Sequence, residues 1–168
     1  HNCSIRPEEI SIAHILSKAG YACGHFGKWH LGPVKAESPT NPGAMGFEQW
    51  LSHDNFFEIN PTLSRNGGPP EKFQGESSQI VVDETIRFIK EAKEKNKPFL
   101  AVVWFGSPHA PHVAWKTDQN LYPDQPKNKQ NFFGEVTGMD RAMGLLQESL
   151  AEWQLKENTL VWYTSDNG

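Results

Sequence analysis

A chain of 168 residues is long enough to bury one substantial core. Apolar residues at 37% exclude disorder, and a net charge of −4, with acids and bases interspersed, excludes the basic face of a general nucleic-acid binder. No apolar run reaches membrane-spanning length, and Cys3 and Cys23 form neither a disulfide framework nor a Cys-x-x-Cys metal pattern.

The chain starts at His1 without an initiator Met and without a visible signal peptide, and both ends read as cut. Asn2-Cys3-Ser4 fits a glycosylation sequon, a motif short enough to arise by chance. Ile12, Ile15, Leu16 and Ala19 recur at helical spacing, with Pro7, Glu8 and Glu9 ahead of them and Gly20 at the stop. Tyr21 to Phe26 reads as a short strand, with Cys23 a small core residue in it. Residues 33–77 are rich in Pro, Gly, Asn and Ser and read as a long loop. Phe47, Trp50, Phe56 and Phe57 favour packing over disorder there.

Helical spacing returns at Val82, Thr85, Ile86, Ile89 and Lys93, with Ser77-Ser78 as its cap. Phe99 to Phe105 is a continuous apolar run, the pattern of a strand buried on both faces. A second polar loop covers about 108–131, and a third helix carries Val136, Met139, Met143, Leu146, Leu150 and Trp153. Thr159 to Thr164 is another buried-strand candidate. Alternating helices and strands predict an α/β fold, a parallel-sheet core with flanking helices.

Each predicted strand is followed at once by polar residues. Lys28 and His30 follow the first, His109 and His112 the second, Asp166 and Asn167 the third. Ligand sites in open parallel sheets lie outside the carboxyl ends of the strands, so the three clusters are expected to converge. Singly, each has a plain structural explanation, such as turn chemistry for Asp166-Asn167-Gly168. Together they suit a tetrahedral oxyanion. Asp and Asn oxygens are donors for Ca²⁺ or Mg²⁺, a lysine supplies a point charge, and histidines move protons.

The segment Gly20 to Gly32 (GYACGHFGKWHLG) resembles a signature of the sulfatase family, in the alkaline-phosphatase-like superfamily, with Cys23 where Ser or Thr is usual. Phe99 to Pro111 resembles the family's strand and Pro-His-x-Pro loop, and Gly134 to Gly168 its helix and Thr-Ser-Asp-Asn-Gly strand end. The resemblance implies the central part of a catalytic domain, incomplete over 1–168. Lys28 would contact the sulfate and the nucleophile, His30 would assist the nucleophile's regeneration, and His109 would help the leaving oxygen depart. Asp166 and Asn167 would bind Ca²⁺, with Mg²⁺ as the other option.

The family's nucleophile is a formylglycine made in a Cys-x-Pro-x-Arg motif. Cys3 does not match it, because Ile5 replaces the Pro and Pro7 the Arg. The nucleophile is therefore expected outside this chain, and the chain alone is expected to be inactive. The expected partner is a small-molecule or saccharide sulfate ester, with His53, Asn55, Arg65 and His112 as candidate substrate contacts. Secretion or a periplasmic location is implied by the same resemblance. A phosphatase or phosphonate hydrolase of the superfamily, or an inactive binding homologue, is the alternative.

Overall fold

In the computed structural model, which describes residues 4–166, a single five-stranded sheet organises the chain. Its central strand, β1 (Ala22–Lys28), pairs in parallel with β2 (Gln49–His53) on one side and β5 (Phe99–Trp104) on the other. Beyond β2, the short antiparallel strands β3 (Thr62–Arg65) and β4 (Pro70–Lys72) extend the sheet, giving the order β4-β3-β2-β1-β5.

Successive β1 side chains point to opposite faces, as a strand requires. Ala22 and Phe26 join Leu51, Leu63, Val82 and Phe88 in the core beneath α2 (Ser77–Glu94) and α4 (Lys127–Glu152). Cys23 faces the other way, with Ala13 of α1 (Ile12–Lys18), Trp29, Met45 and Phe47. Burial pushes its thiol pKa up, with the Glu48 charge adding to the rise. The α/β architecture with a parallel core is thus as expected from the alternation of elements.

Four details differ. The supposed loop 33–77 contains β2, β3 and β4. Within it, Gly67-Gly68-Pro69 forms the β3–β4 turn, with Asn66 and Gly67 in the left-handed region, so these turn residues mark a hairpin rather than an unstructured stretch. Helix α2 is capped by Glu76, whose carboxylate accepts from the amides of Ser78 (3.0 Å) and Gln79 (2.8 Å), which puts Ser77 and Ser78 inside the first turn. Helix α4 starts at Lys127, so the loop after His109 is shorter than the polar composition suggested and encloses a further turn of helix, α3 (Lys116–Gln119).

The fourth difference concerns the two apolar runs. Residues of β5 are only partly buried, because it is the edge of the sheet among the described residues. Thr159 to Thr164 is not a strand: Leu160 is 86% exposed and Trp162 82%. An apolar β-branched run becomes a strand only when its backbone groups find a ladder partner, and no described strand pairs with this one.

Gly27 sets how closely β1 and β5 approach. It lies opposite Trp104 at φ 108, and a Cβ there would sit 2.0 Å from the Trp104 carbonyl oxygen. Gly27→Ala therefore combines a disfavoured backbone angle with a clash against main chain, and is expected to cost about 3 kcal/mol. A lower urea midpoint at unchanged m-value is the expected measurement.

Candidate active site at the carboxyl ends of the strands

Lys28 is the last residue of β1 and His53 the last of β2, and the two are register partners. The chains stay bonded beyond the strands: the Trp29 amide donates to the His53 carbonyl and the His30 amide to the Asp54 carbonyl, both at 2.9 Å. Trp29 turns inward, is buried, and donates its indole N–H to the Thr40 carbonyl at 2.8 Å. Its neighbours consequently face outward, Lys28 half-buried and His30 exposed. His30 adopts a left-handed backbone (φ 52), a strained conformation for a non-glycine residue and one that clusters at functional sites.

The loop after β5 reaches the same edge. His109 is exposed, and its ring lies 4.8 Å from that of Phe56 at 30°. Its Nδ1 donates to the Ala110 carbonyl at 2.6 Å, which assigns the proton of the neutral ring to Nδ1 and turns Nε2 to the other side. The amide of Asn55 donates to His53 Nδ1 at 3.2 Å, fixing that imidazole from its own loop. Lys28, His30, His53 and His109 thus come to one edge of the sheet. A cavity lined by Ala22, Gln49, Phe88 and Lys97, at the other end of β1, contains none of them.

Other candidates are drawn elsewhere. His112 faces α4, with Nδ1 3.0 Å from Glu135, whose other oxygen accepts from the Val113 amide at 2.8 Å. Burial raises the Glu135 pKa, against the hydrogen bonds from Val113 and His112. Because β3 runs antiparallel to β2, Arg65 pairs with Leu51 in the middle of β2, two residues short of His53. It bonds the half-buried Glu84, which also takes Arg87. Burial would raise the Glu84 pKa, but the hydrogen bonds from Arg87 and Arg65 outweigh it and hold the carboxyl below its usual range. Arg65 and His112 are therefore engaged in holding the fold.

Asp166 lies in the exposed segment after residue 158, in no described strand, and Asn167 lies outside the described residues, as do Asn2 and Cys3 of the sequon. A carboxylate and an amide are suitable donors for Ca²⁺ but far fewer than the six to eight oxygens it takes. Among the described residues no three His, Cys, Asp or Glu gather to hold an ion. The residues in hand do not by themselves make the metal site.

His25 was not singled out by the sequence, although its alternation with Phe26 places it on the Cys23 face. It is fully buried between Trp29 (4.8 Å), Trp104 (5.0 Å) and Phe47 (5.5 Å), all edge-on. Nδ1 meets the Ser52 hydroxyl at 2.8 Å, while Nε2 has no partner among the described residues. Burial lowers its pKa from 6.5 to about 3. The neutral ring thereby braces the Trp29 wedge between Lys28 and His30.

The sulfatase family model matches residues 4–168, so the chain belongs to the sulfatase family. Among curated relatives, an endo-4-O-sulfatase of Bacteroides thetaiotaomicron is 28% identical over 98% of this chain and 41% of its own length. An ulvan-active sulfatase of Formosa agariphila is 28% identical over 96% and 35%, and the human N-acetylgalactosamine-6-sulfatase 29% over 98% and 33%. The chain spans about two fifths or less of these relatives.

Two solved structures share the fold. One, from work on the metabolism of multiple glycosaminoglycans by Bacteroides thetaiotaomicron, is 28% identical with a TM-score of 0.81 over 94% of this chain and 41% of its own. The other, Ps i-CgsB in complex with k-i-k-neocarrahexaose, has a TM-score of 0.85 at 22% identity, covering 95% and 40%.

Between the unfolded chain, which protonates His25 near pH 6.5, and the folded one, which resists until about pH 3, acidification favours unfolding. Urea titrations are expected to show stability falling by about 5 kcal/mol across that window from this group alone. His25→Gln should flatten the dependence.

Proposed function

We propose that residues 1–168 form the central part of a sulfatase catalytic domain, which in the complete protein hydrolyses a sulfate ester of a carbohydrate. The observation that carries this reading is the meeting of Lys28, His30, His53 and His109 at one sheet edge, in a chain of this family. A lysine beside three imidazoles is an arrangement for binding a compact anion and moving protons around it.

In this reading Lys28 places its ammonium against the sulfate oxygens and offsets the charge that builds on them. His30, held by its amide to Asp54, handles the proton of the nucleophile. His109, protonated on both ring nitrogens for this step, keeps Nδ1–H on Ala110 and delivers its Nε2 proton to the departing alcohol oxygen. His53 and Asn55 face the alcohol portion of the ester. Arg65 and His112 have no part in it, given the partners they already hold.

The nucleophile is a formylglycine supplied from outside this chain, which provides the hydroxyl that attacks sulfur. Asp166 and Asn167 contribute to a Ca²⁺ site completed by donors from elsewhere in the protein. Support for a sugar substrate comes from the names of the relatives, which act on ulvan or are named for an amino-sugar 6-sulfate. Secretion or a periplasmic location follows from the same kinship. No helix among the described residues is long and apolar enough to cross a membrane.

Lys28→Ala and His109→Ala in the complete protein are each expected to lower kcat/KM for sulfate release from a sulfated disaccharide by about 100-fold or more. Steady-state assay by ion chromatography measures it. Wild-type turnover of the matching phosphate ester, with none of the sulfate, would replace the sulfatase reading by a phosphatase one.

A further inference from the structure

We propose that Phe56 is a positioning residue for ester cleavage, holding the His109 imidazole where its Nε2 meets the departing oxygen. The inference rests on the sulfatase reading above.

His109 sits in an exposed loop, and its own bonds do little to fix it relative to the sheet. Nδ1 is tied to the carbonyl of the next residue, and the main-chain amide to Gly106 at 3.3 Å, so both anchor the ring to its own loop. The ring contact with Phe56 links the imidazole to another segment, the one that follows β2. Phe56 is itself well placed to serve as a reference. The next residue, Phe57, is buried in the core beneath the sheet, and its ring lies 6.1 Å from that of His53.

A second point of contact joins the same two segments. A Cβ on Gly106 would fall 2.5 Å from the Phe57 carbonyl oxygen, so the β5 loop is pressed against the Phe57 backbone at its second residue. Residues 56–57 therefore clamp the β5 loop twice, by main chain at Gly106 and by a tilted ring contact at His109. Since His53 on the same segment is the register partner of Lys28, the clamp relates the proton donor to the anion-binding lysine. A flat aromatic ring 4.8 Å away at 30° restricts imidazole rotation as an aliphatic side chain would not.

In the step concerned, the bond from sulfur to the alcohol oxygen breaks and its electron pair stays on that oxygen. His109 enters this step protonated on both nitrogens, and its Nε2 proton passes to that oxygen, leaving the neutral ring with Nδ1–H on Ala110. The nucleophile's oxygen meanwhile bonds to sulfur and its proton goes to His30. Good leaving groups need little of that proton and poor ones need it fully, so misplacing the donor shows most where the leaving alcohol is most basic.

The test compares wild type, Phe56→Leu and Phe56→Tyr in the complete protein, on 4-nitrophenyl sulfate against poor leaving groups, 4-methoxyphenyl sulfate and a sulfated disaccharide. Phe56→Leu is expected to lower kcat about 10-fold for the poor leaving groups with KM unchanged, and less for 4-nitrophenyl sulfate. Phe56→Tyr should restore it, and thermal melting verifies that all three are folded. An unchanged kcat, a loss equal across leaving groups, or a loss confined to KM overturns the assignment of Phe56 while leaving the sulfatase reading intact. A wild type that releases sulfate from none of these substrates overturns both.

Discussion

The close passage of β1 against β5 at Gly27 is the contact on which the rest of this structure turns. There the Trp104 carbonyl occupies the space a side chain would take, and the strand can run on in register to Lys28. Only a residue without a Cβ, tolerant of φ 108, satisfies both demands. Because β1 is bonded on both sides, a shift at Gly27 would move the strand end, the Trp29 wedge and the two polar residues that flank it together. Local backbone chemistry and the placement of Lys28 are one constraint seen at two scales.

Around that strand the fold uses parallel pairing to gather groups distant in sequence. Lys28, His53 and His109 are separated by tens of residues, yet β1, β2 and β5 run the same way and end at one edge. The antiparallel β3 and β4 widen the sheet without adding to that edge, and their Arg65 is taken up by Glu84 on α2. The apolar layer under the edge is unusual in containing a histidine. His25 offers aromatic packing and one hydrogen bond to Ser52 while remaining uncharged, so it stiffens the layer without competing for anions.

Much of this was legible beforehand because it is written in periodicity. The helical spacing at Val82 specifies a helix whose apolar positions are the ones buried, and the apolar run at Phe99 specifies a strand. Helix α1 also forms, although Ile12 and Ile15, which carried its spacing, are exposed and Ala13 is its buried residue. The glycine and lysine of the first strand end lie in a contiguous motif. What stayed hidden depends on pairing between distant segments. The strands inside 33–77 are three to five residues long, too short for alternation to speak. Thr159 to Thr164 has strand composition, but composition does not supply a partner. Arg65 and His112 looked available because nothing local reveals Glu84 or Glu135 across the fold. His25 and Phe56 were passed over for the same reason: each matters through a neighbour reached only by folding.

The indole of Trp29 stacks on that of Trp104, with centroids 5.9 Å apart and planes 21° from parallel, directly beneath the turn that presents Lys28 and His30. Two chromophores so disposed share their excited states, and their joint circular-dichroism band in the near ultraviolet depends steeply on separation and angle. The protein thus contains an optical gauge at the strand ends. Anion binding at the site proposed for Lys28 would register there as a change in band shape, without any label and independently of turnover.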